Sequence, residues 1–307
     1  MNQSKFTQES DFRQERDFGA KIGATFEFLG AHWRPLGKCL LYFVLPPALL
    51  TGVALGVFQN QSLDLISQNA NSSLEYLLNF YQAGGTAYWL GLLASLASYV
   101  MLAATVNGYV LVRLALAPEQ PVLPDLVWDQ VRPLAPRLLL TSLVVVLLTL
   151  LGYVLLLLPG LYLSVALSLV WVVQAFEKQD VITTIKRNLL LIRGKWWSTL
   201  GLLLVMLLLV SVVGIIFQLP LFAATFSKML HWSWLESDVL VVISTVFASV
   251  GRMILYTPVF VALLFQYFNL VERKEGVGLR SLVASLGTAP APAVYNQAYR
   301  PDDDGEY

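Results

Sequence analysis

Between Leu138 and Phe176 the chain runs for 39 residues without one Asp, Glu, Lys, Arg or His. As a helix this stretch would extend about 58 Å, roughly twice a bilayer core of about 30 Å, so it predicts two spans rather than one. Pro159-Gly160, just past its middle, predicts the reversal, with spans at Leu138–Leu158 and Leu161–Phe176. Four further apolar stretches follow the same rule: Cys39–Gln59, Tyr88–Val112, Ser198–Leu219 and Val239–Leu270. The pattern therefore predicts an all-α, polytopic bundle of six transmembrane helices. Pro46-Pro47 predicts a kink in the first span, and the small-xxx-small step Gly52, Gly56 allows another backbone to approach it.

Three segments show a different period. Phe18, Ile22, Phe26, Leu29, Trp33 and Leu36 share one helical face of Asp17–Leu36. Leu123, Leu126, Val127, Val131 and Leu134 do so in Ala117–Arg137. Val181, Ile182, Ile185, Leu189, Ile192 and Trp196 do so in Glu177–Trp197. Each precedes an odd-numbered span, and each predicts an amphipathic helix in the cytoplasmic headgroup plane, or one packed on other cytoplasmic parts. Their recurrence reads either as three variants of one unit or as the basic anchors that odd-numbered spans require. The polar remainder predicts a solvated tail over 1–16, a membrane domain over 17–286 ending in a short docked helix at Gly276–Leu286, and a disordered tail over 287–307. Asn60–Gly85 reads as a polar loop with a short helix at Ser73–Tyr81, and holds the glycosylation-like triplets at Asn60 and Asn71.

Composition agrees: 57% of residues are hydrophobic and 13% charged, with a mean hydropathy of +0.65. The zero net charge hides an asymmetry. Lys and Arg number six before span one, three after span two, five after span four and four after span six, whereas the opposite side holds Lys228 alone. Positive charge stays inside, so both termini are expected in the cytoplasm of a cell whose plasma membrane the chain crosses six times. With no apolar leader in the first 37 residues, span one is expected to be its own targeting signal. The single cysteine, Cys39, excludes an internal disulfide, and His32 and His231 fall on opposite predicted sides.

Four stretches carry a family resemblance: Thr25-Phe26-Glu27-Phe28-Leu29 ahead of Trp33; Leu158-Pro159-Gly160-Leu161-Tyr162-Leu163; Thr184-Ile185-Lys186-Arg187-Asn188 leading to Gly194-Lys195-Trp196-Trp197; and Tyr267 through Gly276. In order and spacing they resemble the bacterial six-helix integral membrane proteins of unassigned activity that include the membrane domain found beside glycerophosphoryl diester phosphodiesterases. The resemblance covers about residues 17 to 285. It implies no catalytic residues here, because the phosphodiesterase chemistry belongs to a separate soluble barrel that this chain has no room for. Family members often carry an acidic residue where this chain has Asn269.

Candidate chemistry is sparse. Arg252, inside the last span, is the charge most expensive to place there, and Asn107 and Gln266 are its possible polar neighbours for a polar path or a lipid-headgroup site. Counted back from Glu272 at the inner headgroups, Arg252 is expected about 30 Å away, snorkelling to the outer surface. Lys186, Arg187, Arg193 and Lys195 are candidate contacts for anionic lipid, or simply determinants of topology. Trp33, Trp128, Trp196 and Trp197 are expected to anchor the inner interface, and Trp89, Trp232 and Trp234 the outer one. There is no phosphate loop, metal-spaced cluster or nucleophile with a paired base, no cofactor is implied, and nucleic-acid binding has no support. The absence of carboxylates within the spans argues against a proton-coupled carrier. The expected function is a scaffold or accessory protein whose partners are membrane lipids or another protein, rather than an enzyme; a transporter or channel for a small or lipid-like solute is the other reading.

Overall fold

The computed structural model describes residues 5–67, 73–230 and 237–276, those at 65–84 by backbone alone. His231, Trp232, Trp234, the triplet at Asn71, the helix expected after Gly276 and the tail from Gly287 fall outside the described residues. Within them there are ten α-helices and no strand: α1 (Glu9–Phe12), α2 (Phe18–Phe43), α3 (Leu45–Ser67), α4 (Ser73–Ala115), α5 (Pro124–Leu155), α6 (Leu157–Ala166), α7 (Val170–Glu177), α8 (Val181–Ile192), α9 (Trp196–Met229) and α10 (Asp238–Glu275). Five segments are long and apolar enough to cross a membrane: Gly85–Ala115 of α4, α5, the α6–α7 stretch Leu157–Glu177, α9 and α10. The bent pair α2–α3 makes six when taken as one span. The protein is an all-α, multi-pass membrane bundle.

The boundaries depart from the sequence expectation in five places, each with a local cause. Asp17 Oδ1 accepts from Ala20 N at 2.7 Å and starts α2, which then runs unbroken past Leu36 into the expected first span. The bend, 53° between α2 and α3, comes at Val44. Pro46 and Pro47 therefore occupy the first turn of α3, where a missing N–H leaves no helical bond unmade. The loop expected over Asn60–Gly85 is largely helical, since α3 continues to Ser67 and α4 begins at Ser73. α5 likewise carries the expected interfacial segment straight into span three, with Pro133 and Pro136 inside it. The reversal after α5 is at Leu156, whose backbone is extended, and Pro159-Gly160 falls in the first turns of α6. Only α8 stands as a separate helix before its span: Asp180 caps it, and Gly194, at φ +81°, turns the chain into α9.

The first residues are not a solvated tail. Phe6 and Phe12 are buried against Phe28, Phe265 and Phe268, with Phe12 stacked on Phe265 at a centroid distance of 5.7 Å. His32 joins them, its Nδ1 2.9 Å from the Tyr109 hydroxyl and its Nε2 3.0 Å from the Lys5 carbonyl oxygen.

α10 is the axis of the bundle. From Val259 to Glu272 every residue is buried, while Val239, Ile243 and Phe247 are exposed nearer its start. The lipid-facing part of α10 is therefore its first half. Small residues let α3 approach there: a Cβ at Gly52 would lie 2.5 Å from Val246 Cα, and one at Gly56 2.9 Å from Val242 Cα. At the far end Lys228 Nζ meets Asn60 Oδ1 at 2.5 Å, Asp64 Oδ1 at 2.6 Å and Asp238 Oδ1 at 2.8 Å, tying α3, α9 and α10 together. At the near end the segment before α2 meets the end of α10, with Arg273 Nε 3.1 Å from Glu15 Oε2.

Candidate anion site at the terminal end of the bundle

Where α2, α9 and α10 converge, Lys21 is only 2% exposed. Its Nζ donates to Gln266 Oε1 at 2.7 Å and to Ser198 Oγ at 3.3 Å. Gln266 Nε2 donates in turn to Thr199 Oγ1 at 2.9 Å. These residues lie up to 245 positions apart in the chain. No carboxylate lies within ion-pair distance of Lys21 among the described residues. Arg273 and Lys195 add like charge nearby, and Asp17 the opposite.

Lys21 opens on a cleft of about 340 Å³ lined also by Glu15, Arg16, Asp17, Ser198, Asn269 and Arg273. Most of the other charges there are already engaged. Glu15 holds Arg273, and Asp17 caps α2. The Arg16 guanidinium donates to the Phe12 and Asp11 carbonyls and lies 5.1 Å from the Phe265 ring centroid. Burial lowers its pKa from the ordinary arginine value, against the pull of Asp11 and Glu27. Asn269 Oδ1 accepts from Arg16 N at 2.8 Å and so fastens the entering chain. Lys21, like Arg16, donates only to neutral groups among the described residues, but its partners come from two other helices, α9 and α10.

Gln266 is thus the buried partner of Lys21 behind this cleft, and it is not joined to Arg252 or Asn107. Asn107 is buried in α4, where its Nδ2 donates to Ala103 O at 2.8 Å and its Oδ1 has no partner. Arg252 is exposed in a groove of about 330 Å³ between α9 and α10, with Ser211, Gln218 and Tyr256, and neither Asn107 nor Gln266 lines it. Arg252 lies about 21 Å along α10 from Asp238, in the half of the helix that carries the exposed apolar residues.

The basic residues of α8 divide. Arg187 Nε lies 2.9 and 3.0 Å from the two Glu177 oxygens, and its Nη2 lies 2.5 Å from Glu275 Oε1. Tyr267 Oη also donates to Glu177 Oε1, at 3.2 Å. Arg187 is a structural clasp. Lys186, Arg193 and Lys195 are exposed, with no side-chain bond to another described residue. Lys274 Nζ donates to the Leu190 and Arg193 carbonyls and so closes the end of α8. Comparison with protein families, curated proteins and solved structures finds no match to this chain.

The expected anchors among the described residues lie at accessible places. Trp33, Trp89 and Trp128 are exposed, Trp128 stacking on Phe43 at 5.1 Å. Trp197 is 79% exposed at the start of α9. Trp196 is half-buried, donating to Tyr162 O at 3.2 Å. The sequence missed Lys21 and Arg16. Lys21 was legible only as a polar residue off the apolar face of its helix, and Arg16 as part of a tail. No group of three or more His, Cys, Asp or Glu side chains converges among the described residues.

Proposed function

We propose that this protein is a non-catalytic scaffold of the plasma membrane, with both termini cytoplasmic, whose cytoplasmic cleft takes up an anionic group such as a phospholipid headgroup. The observation that carries this reading is Lys21, held in place by neutral Gln266 and Ser198 at the wall of an open cleft. A buried ammonium without a carboxylate is costly, and an anion entering the cleft offsets that cost. The exposed Lys186, Arg193 and Lys195 add attraction for an acidic membrane surface. The likeness to a family whose membrane part has no catalytic residues points the same way.

Mass spectrometry of lipids retained after purification tests it. Lys21→Met keeps the stem and removes the charge, and is expected to lower retained anionic lipid roughly fivefold relative to zwitterionic lipid. Arg273→Gln, at the more open side of the cleft, gives a smaller loss. Equal lipid profiles for both variants and the parent would sink the reading. Arg252, exposed beside Ser211 and Gln218, favours the second reading of a path for a small solute. Specific flux into reconstituted vesicles that Arg252→Ala abolishes would replace the scaffold with a transporter.

A further inference from the structure

The bend between α2 and α3 leaves a second, separate groove, of about 320 Å³, against α10. Leu41, Val44, Ala48, Met253 and Ile254 form its apolar wall, and Trp33, Arg34 and Lys38 stand at its mouth on α2. The two ends differ in chemistry. The floor toward Ala48 carries no charge, whereas Arg34 and Lys38, one turn apart, are both exposed cations. Neither has an ion-pair or hydrogen-bond partner among the described residues. Like charges at this spacing repel along a helix, and an anion between them relieves that repulsion.

We infer that this groove is a binding site for one acidic phospholipid of the surrounding leaflet, its phosphate between Arg34 and Lys38 and an acyl chain laid along the bend toward Ala48. Polarity and depth agree with that occupant. The charged mouth lies on the terminal side of the exposed apolar stretch of α10, and the floor reaches Val250 within it. Trp33, 49% exposed beside the mouth, suits the headgroup level. A chain that leaves the bilayer for the groove gains no hydrophobic transfer energy, because lipid tails are already as apolar as the wall. Selectivity must therefore come from the two cations, and the groove supplies shape alone. From Lys21 to Arg34 is about 20 Å along α2, so one headgroup does not serve both sites, and this inference is independent of the cleft.

Two variants separate charge from shape. Arg34→Gln with Lys38→Gln removes the cations from exposed helix positions. Gly37→Leu fills the groove with the charges intact; a Cβ there meets nothing within 4 Å, so the fold tolerates it. The full chain is placed in nanodiscs of phosphatidylcholine with a minor fraction of phosphatidylglycerol, and lipids carried into the gas phase are counted by native mass spectrometry. The charge variant is expected to lose the preference for phosphatidylglycerol by roughly thirtyfold, the scale of two cations at an anionic surface. Gly37→Leu is expected to lose one tightly held lipid of either kind. Lys21→Met leaves both readouts of the groove unchanged. Parental selectivity in the double Gln variant, or parental lipid number in Gly37→Leu, would overturn the assignment.

Discussion

Replacing Gly52 by Leu is expected to separate α3 from α10 and unfold the bundle at its lipid-facing half. The first carbon added at Gly52 falls 2.5 Å from Val246 Cα, a backbone atom that no rotamer change can move. Gly56, one turn on, faces Val242 Cα at 2.9 Å, so α3 cannot relieve the clash by sliding one turn along α10. Overpacking of this kind costs about 3 kcal/mol or more, and α3 contributes much of the surface that α10 packs against. The melting temperature in detergent should fall by roughly 5–10 °C. Gly30→Leu is the control: nothing lies within 4 Å of its added carbon, and replacing glycine within a helix is favourable by itself. A parental melting temperature for Gly52→Leu would mean that α3 and α10 do not meet as described.

Removing the Arg187 side chain has the second-largest expected effect. The guanidinium spans Glu177 and Glu275, and Tyr267 shares the first of these carboxylates. Arg187→Ala leaves two acids facing each other in a half-buried site. The cost lies between that of an exposed pair and a buried one, about 2 kcal/mol. The consequence is local: α8 should lift from the end of α10, and the chain at Gly194 should become open to protease and its amides to hydrogen exchange. Arg187→Lys should recover only part of the loss, since an ammonium does not offer the fork that reaches both acids. Adding Glu177→Gln to Arg187→Ala should restore some protection. If Arg187→Ala exchanges like the parent across α8, the clasp is not what holds it.

What the sequence made legible follows from the solvent. Uncharged runs such as Leu138–Phe176 announce spans because a bilayer tolerates no free backbone and few charges. The same solvent hides the inner face. In water the apolar stripe Phe18, Ile22, Phe26, Leu29, Trp33, Leu36 would face a core. Here the stripe divides: Phe18, Phe26 and Trp33 are exposed, while Leu29 and Leu36 are buried together with Lys21, Thr25, Phe28 and His32. In contact with lipid the outside is as apolar as the inside, so polar residues become the better marks of interior. The cleft was illegible for a second reason. Lys21, Ser198 and Gln266 meet only through the packing of three helices, and no local pattern encodes that meeting. Joints were displaced by two or three residues for a third: the bend expected at Pro46-Pro47 comes at Val44 and the reversal expected at Pro159-Gly160 at Leu156, because proline is accommodated in the first turn of a helix and the break falls before it.

The enclosure of α10 sets an order of assembly. Its second half is walled by α2, α4, α7, α8 and α9, all of which the ribosome makes first. Those helices must enter the membrane around a vacancy and wait for the axial member to arrive. Until it does, Lys21, Phe6 and Phe12 lack the α10 side chains they rest on. A chain cut short before Val259 would thus be a ring without a hub, recognisable to quality-control proteases by the polar surface it shows to lipid.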